Sequence, residues 1–267
     1  ACNQAIFWKG RAFFEMGNFE DAIRAFEHAI ENNHRTADLY YFEGMAHAAL
    51  DQHREAIQSY DCSLEMSHSA VTLSHKAISL AELGMSRDAL ETFDKALEQD
   101  ENSAEAWMGK GNVLYDLGKH PEALAAYERC LELDPENAVA WTRHGMALAA
   151  QFQSEAAIES YEHAITADPS FSIAYFTKGS ALIALGRYME AVESFNTMLT
   201  IQPDFVDAWI YRGRALQEQE KYQEALTSFK HALEIDPGRK EVWEDIGGVL
   251  DTIGKHEEAK ICYKKAG

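Results

Sequence analysis

A ladder of alanines, each followed four positions later by an aromatic residue, constrains this chain more than any other feature. The alanines recur at intervals of 34 residues with a single interval of 33. The eight matched pairs are Ala22/Phe26, Ala56/Tyr60, Ala89/Phe93, Ala123/Tyr127, Ala157/Tyr161, Ala191/Phe195, Ala225/Phe229 and Ala259/Tyr263. A period in this range predicts a solenoid built from one short repeated unit. Stacked units of this kind present extended surfaces more readily than enclosed catalytic pockets.

Residues 104–137 illustrate what one unit is expected to form. Apolar residues recur at helical spacing up to Gly118, which stands where the left-handed C-cap of a helix favours glycine. Pro121 then falls in the opening turn of a second helix, where a missing N–H costs nothing. Gly111 and Ala123 are small, so we expect the helices to approach closely there, and a larger side chain to cost ~1–3 kcal/mol. The unit is therefore predicted to be a pair of short antiparallel helices.

These residues resemble the tetratricopeptide repeat family, with its W…G…Y/L…A…F/Y…A…P pattern over about 34 residues. The resemblance covers nearly the whole chain. It implies an all-α fold, an α-solenoid of stacked antiparallel helix pairs that forms a right-handed superhelix and a single domain over residues 1–267. The predicted repeats are 3–36, 37–69, 70–103, 104–137, 138–171, 172–205, 206–239 and a truncated 240–267.

Other positions of the repeat agree with this resemblance. A glycine recurs in the first helix of seven repeats, and Ala77 replaces it in the third: Gly10, Gly44, Gly111, Gly145, Gly179, Gly213 and Gly247. One position, expected to lie in the core, holds Trp107, Trp141, Trp209 and Trp243, with Tyr40 and Tyr175 standing in elsewhere. Prolines close the middle repeats, whereas the first three have His34, His68 and Glu101 there. Specialised binding, a mobile end and simple drift all fit this divergence.

Composition excludes several classes of partner. The net charge is -20 and no basic stripe is present, so binding to nucleic acid by counterion release is not expected. No apolar run has the length of a membrane span, so membrane insertion is not expected either. Cys2, Cys62, Cys130 and Cys262 lack CxxC spacing and are predicted to be free, partly buried thiols, which fits a cytoplasmic location.

Motifs for catalysis or metal binding are missing from the sequence. Three of the eleven histidines, His28, His163 and His231, occupy one repeat position and are therefore expected to lie too far apart to share an ion. No HExxH, GxSxG, P-loop or dinucleotide fingerprint occurs. We therefore predict that this chain is not an enzyme and needs no cofactor or metal.

A series of cations directly precedes the repeat glycine or its substitute. It consists of Lys9, Lys76, Lys110, His144, Lys178 and Arg212. Because the surrounding charge is acidic, we expect their stems to pack on apolar surface and their heads to meet carboxylates of neighbouring repeats. This interpretation is preferred to a track that binds phosphates.

The resemblance implies that first helices line a concave groove that receives a peptide. Mapped onto this sequence, the groove consists of Phe7, Arg11, Phe14, Tyr41, Phe42, Met45, Ile78, Met108, Asn112, Tyr115, Thr142, Arg143, Met146, Ile173, Phe176, Ser180, Ile183, Ile210, Tyr211 and Arg214. Aromatic residues, Met and Arg are enriched in interfaces. This mixture predicts an apolar or amphipathic ligand whose carboxylates meet the arginines. Some of these side chains are expected to pack between neighbouring first helices instead.

Three functional hypotheses remain open from the sequence. The first is a scaffold that binds a peptide segment of a partner protein in its groove. The second is self-association through the terminal repeats, since Trp8 lies outside the tryptophan register and the chain stops at Gly267 with no capping helix. The third is the targeting arm of a larger enzyme, of which this chain would be a fragment.

Overall fold

The computed structural model describes residues 2–267, with side chains from residue 4 onward, so the thiol predicted for Cys2 lies outside the described side chains. Sixteen helices occupy these residues, and no strand does. They are α1 (Cys2–Glu15), α2 (Phe19–Glu31), α3 (Ala37–Ala49), α4 (His53–Met66), α5 (Ala70–Glu82), α6 (Ser86–Gln99), α7 (Ala104–Asp116), α8 (His120–Leu133), α9 (Ala138–Ala150), α10 (Ser154–Ala167), α11 (Ser172–Ala184), α12 (Tyr188–Ile201), α13 (Val206–Glu218), α14 (Tyr222–Ile235), α15 (Lys240–Thr252) and α16 (His256–Ala266). The all-α class and the stacked helix pairs predicted from the sequence are confirmed.

The helices divide into two compact units, Ala1–Pro135 and Glu136–Gly267. We call the odd-numbered helices first helices and the even-numbered ones second helices. Every first helix from α3 onward begins where a repeat boundary was placed in the sequence. That residues 1–267 form a single domain stays a prediction.

Within each unit, neighbouring first helices contact one another. In the first unit α1 contacts α3, α3 contacts α5 and α5 contacts α7; in the second, α9 contacts α11, α11 contacts α13 and α13 contacts α15. Inside either unit, no two second helices of the described chain contact each other. Each packs on its own first helix, and all except α8 and α16 also pack on the following first helix. The first helices therefore lie on the inner side of each unit.

The alanine–aromatic ladder forms the core of each helix pair. All eight ladder alanines are fully buried. The first seven ladder aromatics, Phe26 to Phe229, have at most 2% of their surface exposed, whereas Tyr263 is 42% exposed. The ring of each of these aromatics except Phe93 lies against the glycine of its own first helix; a Cβ on Gly111 would lie 2.6 Å from Cε1 of Tyr127. A glycine is therefore needed at this position because the aromatic ring occupies the space that a Cβ would fill. The close contact predicted between the two helices is thus a contact between a glycine and a ring.

The turn inside each pair requires a left-handed backbone. Glycine supplies it at residues 17, 84, 118, 186 and 254, and Gly118 has φ +73°. Asp51, Phe152 and Glu220 adopt the same conformation in three other pairs. Only glycine adopts this region without a steric cost, so these three turns carry a small backbone strain.

The tryptophan register differs from its prediction as a core position. Trp107, Trp141, Trp209 and Trp243 are only half-buried. The indole N–H of Trp107 donates to the carbonyl oxygen of Glu101 at 2.9 Å, and that of Trp209 donates to the carbonyl oxygen of Pro203 at 2.8 Å. These rings therefore sit at the edge of the core, where the indole N–H can reach the loop before the first helix.

Three cations of the predicted series make inter-repeat ion pairs as expected. The contacts are Lys76 Nζ to Asp61 at 2.5 Å, Lys110 Nζ to Asp94 at 2.6 Å and Lys178 Nζ to Glu162 at 2.8 Å. Arg212 differs, because its guanidinium donates to Asn196 and to Ser228. In the second repeat the same position holds Glu43, which is buried and accepts a hydrogen bond from Ser59 at 2.9 Å. Burial raises the pKa of the Glu43 carboxyl above its ordinary value.

Candidate binding surface on the first helices

Every residue predicted for the groove lies on a first helix. α1 carries Phe7, Arg11 and Phe14; α3 carries Tyr41, Phe42 and Met45; α5 carries Ile78; α7 carries Met108, Asn112 and Tyr115; α9 carries Thr142, Arg143 and Met146; α11 carries Ile173, Phe176, Ser180 and Ile183; α13 carries Ile210, Tyr211 and Arg214. Most of these side chains are half-buried, but Phe7, Thr142 and Ile210 are buried. Those three pack inside the helix stack, so they are removed from the candidate surface.

In the first unit, the aromatic residues of α1 and α3 pack on one another. The rings of Phe7 and Phe14 lie 6.4 Å and 5.9 Å from that of Phe42, and the guanidinium of Arg11 lies 4.3 Å above the same ring. Arg11 also pairs with Glu15 at 3.3 Å. Phe42 is therefore the ring on which Phe7, Phe14 and Arg11 all pack. Arg11 has a carboxylate partner within its own helix.

Tyr41 belongs to a second aromatic group, which extends to the next repeat. Its ring meets His75 of α5 edge-on at 5.4 Å, and His75 Nε2 lies 3.8 Å from Glu105 of α7. Burial raises the pKa of the Tyr41 hydroxyl, and the nearby Glu105 carboxylate adds to this effect. His75 and Glu105 were missed in the sequence, although His75 lies one repeat of 34 residues after Tyr41.

Asn112 connects the surface to the core of the first unit. Its Oδ1 accepts a hydrogen bond from the hydroxyl of Tyr127, the ladder aromatic of the same repeat, at 2.9 Å. Asn112 and Ile78 line a cleft of about 240 Å³ between α5 and α7, with Glu82 and Asp116 among the other lining residues. The orientation of Asn112 is therefore fixed by the protein itself, in a cleft with acidic neighbours.

In the second unit, Phe176 and Tyr211 join α11 to α13. Their rings meet edge-on at 5.4 Å, and Phe205 lies 5.3 Å from Phe176. The Ser180 hydroxyl donates to the carbonyl oxygen of Phe176 at 2.9 Å, so it is satisfied by its own helix. Met146 on α9 and Ile183 on α11 are also half-buried. Apolar and aromatic groups thus dominate this part of the surface.

Arg214 is paired with a carboxylate of the next first helix. Its Nε donates to Oδ2 of Asp245 on α15 at 2.9 Å, and its guanidinium lies 5.7 Å from the ring of Tyr211. Burial raises the pKa of the Asp245 carboxyl, while Arg214 acts in the opposite direction. Arg11 and Arg214 are thus each paired with a carboxylate of the chain itself, and their contact with a ligand stays a prediction.

Arg143 is the exception among the three arginines. It is half-buried on α9, and it makes no hydrogen bond or ion pair with any residue that the structure describes. Met146 lies one turn further along the same helix. A cation without a carboxylate partner beside apolar side chains can bind an acidic group of a ligand.

No group of three or more His, Cys, Asp or Glu side chains is arranged to hold a metal ion between residues 4 and 267. Across the described helices, none is both long enough and apolar enough to cross a membrane.

Comparison with known sequences identifies the repeat. A model described as tetratricopeptide repeat matches residues 9–66, 76–138, 142–204, 176–240 and 211–264. No curated protein matches the chain.

Solved structures share the fold. YrrB, described as a TPR protein with an unusual peptide-binding site, has a TM-score of 0.59 and 25% identity; 70% of this chain and 96% of YrrB are covered. A tetratricopeptide repeat protein from Parabacteroides merdae has a TM-score of 0.68 and 18% identity, with 93% of this chain and 98% of that protein covered. MamA has a TM-score of 0.56 and 23% identity, with 58% of this chain and 91% of MamA covered. The last two likenesses concern the fold alone.

Proposed function

Because the chain belongs to the tetratricopeptide repeat family, we propose that it is a non-catalytic interaction module that binds a segment of a partner protein along its first helices. Arg143 carries this proposal. It is a half-buried cation that pairs with no carboxylate of the described residues, on a surface whose other predicted residues are mostly apolar and aromatic. Arg and aromatic residues of this kind dominate the energy of protein interfaces.

The surface also indicates the chemistry of the segment. The second unit offers Arg143 and Met146 on α9, followed by Phe176 on α11 and Tyr211 on α13. A ligand with an acidic residue followed by apolar residues would place its carboxylate at Arg143 and its apolar groups on the aromatic pair. The description of YrrB as a protein with a peptide-binding site supports a peptide ligand. We also propose a cytoplasmic location, since the described cysteines are unpaired thiols.

The experiment uses a displayed library of random peptides to select binders of the protein, whose affinities are then measured by fluorescence anisotropy. Arg143→Glu and Tyr211→Ala should each weaken binding by about tenfold or more, as loss of an interface hot spot does. Arg87→Glu on α6 is the matched control, because it makes the same charge change on an exposed second-helix residue. If both surface variants fold and bind as tightly as the control, the first helices are not the binding site.

A further inference from the structure

One apolar cleft of the second unit lies away from the first-helix surface. It has a volume of about 610 Å³ and lies between α14 and α16, over α15. Its apolar lining includes Leu226, Leu233, Trp243, Ile246 and Ile261. Ligand pockets in proteins are commonly ~300–1,000 Å³ and mostly apolar, so this cleft has the size and character of a binding site.

Two substitutions make this cleft differ from its counterparts in other repeats. A cleft of about 640 Å³ at the corresponding place of the third repeat is crossed by the ion pair between Lys76 and Asp61, at 2.5 Å. In the eighth repeat the position of the lysine holds Ile246, and the position of the acid holds Lys230. Lys230 makes no hydrogen bond or ion pair with a described residue. The cleft consequently has an apolar floor that no ion pair crosses at these two positions. Lys230 at its edge is not paired with a described residue, whereas the other charged lining residues, Glu234, Lys255 and Glu258, are paired within the chain.

The same unit carries an unusual apolar projection. Phe152, in the turn between α9 and α10, is 94% exposed and has φ +61°. Five other turns have glycine at this point. A left-handed backbone is unfavourable for a bulky residue, and the exposed ring obtains no burial within its own chain in return. Glu155 is exposed three residues further on, in the first turn of α10.

We propose that Phe152 of one copy of this chain inserts into the cleft between α14 and α16 of a second copy, with Glu155 placed toward the second copy's Lys230. The chemistry of the two surfaces matches, since an exposed aromatic ring meets an apolar cleft and an exposed carboxylate meets an unpaired ammonium group. Buried aromatic anchors of this kind are typical of interface hot spots. Because the projection and the cleft are different surfaces, the contact joins copies head to tail and does not close on itself as a twofold dimer does.

The first test measures molar mass by light scattering as the protein concentration is raised to the millimolar range. We expect the mass of the parent protein to rise, and Phe152→Gly to stay monomeric. Glycine suits the left-handed turn, so this variant should fold at least as well as the parent. Glu220→Gly is the matched control, because Glu220 has φ +58° in an equivalent turn and its replacement should leave the association unchanged.

The second test blocks the cleft. Ile261→Glu puts a charge on the cleft wall at a residue that is 59% exposed, so folding should be preserved, and it should abolish the association. Ile235→Glu makes the same change at an exposed residue outside the cleft lining and should have no effect. Each blocked variant keeps one half of the contact, so a mixture of Phe152→Gly and Ile261→Glu should form a 1:1 dimer and nothing larger.

Three results would overturn the proposal. They are a parent protein that stays monomeric at every concentration, a Phe152→Gly variant that associates as the parent does, and a mixture of the two blocked variants that stays monomeric. If the parent stays monomeric but binds an added acidic peptide that Ile261→Glu does not bind, the cleft serves another protein and the second copy is excluded as its occupant.

Discussion

Replacing Gly213 with alanine tests the packing that recurs in this fold. A Cβ at this position would lie 2.5 Å from Cε1 of Phe229 and 2.8 Å from Cδ1, whereas carbon atoms in good contact are ~3.5–4.0 Å apart. The ring would have to move by about 1 Å, but Phe229 is fully buried in a core cluster with Ala225 and Ala232. Overpacking of this kind costs ~1–3 kcal/mol.

Gly248→Ala is the matched control for this substitution. Gly248 lies inside α15, and a Cβ there would meet nothing within 4 Å. Alanine is favoured over glycine in a helix by about 1 kcal/mol, and both variants receive this gain. We therefore expect Gly248→Ala to stabilise the protein by about 1 kcal/mol. The free energy of unfolding of Gly213→Ala should be ~1–3 kcal/mol lower than that of the control, and this difference is the cost of overpacking alone.

Urea unfolding followed by circular dichroism measures the difference, and hydrogen exchange of α13 and α14 shows whether the loss is local. In a Phe229→Leu background, where the ring is gone, most of the cost of Gly213→Ala should disappear, which a double-mutant cycle detects. A Gly213→Ala protein as stable as Gly248→Ala would refute the argument that the glycine is required by the ring.

Three other predictions concern single side chains. Burial raises the pKa of Glu43 above its ordinary value of 4.5. The folded state therefore binds this proton more tightly than the unfolded state does. The contribution of Glu43 to stability consequently falls as the pH rises from 4.5 through the pKa of the folded state. Glu43→Gln should therefore stabilise the protein at neutral pH, and pH-dependent urea melts should show the gain vanishing below about pH 4. Lys178→Met should cost ~0.2–1 kcal/mol, and less in high salt, because its pair with Glu162 is partly exposed; a salt-independent loss in thermal melts would contradict this. Burial raises the pKa of the Cys130 thiol to about 11, so alkylation followed by mass spectrometry should label Cys62 in the folded protein and Cys130 only after unfolding.

The sequence predicts the fold in detail because the same physical requirement is repeated along it. Gly118 and Pro121 mark the end of one helix and the start of the next, and the structure has a left-handed residue and a helix start there. A single such signal is weak, but glycine stands at the position of Gly118 in four other turns, and the alanine–aromatic pair recurs in all eight repeats. The helix pairs and their turns therefore follow from the pattern.

The candidate surface follows from the sequence only in part. All its residues lie on first helices as expected, but the pairing of Arg214 with Asp245 was not foreseen. That contact joins two successive first helices, and it depends on how far one helix is shifted along the other. Phe152 was missed for another reason, since its backbone conformation is set by the turn and not by its own preference. Contacts between repeats thus need three-dimensional information that the period does not contain.

The arrangement of the helices within each unit also has a mechanical consequence. Because neighbouring first helices are in contact, the distance between them cannot shorten. Neighbouring second helices are not in contact, so the distance between them can increase or decrease. Any flexing of a unit must therefore appear mainly as a change in the width of the gaps between second helices. In the second unit one of those gaps is the cleft between α14 and α16. Flexing of the second unit therefore changes the width of this cleft.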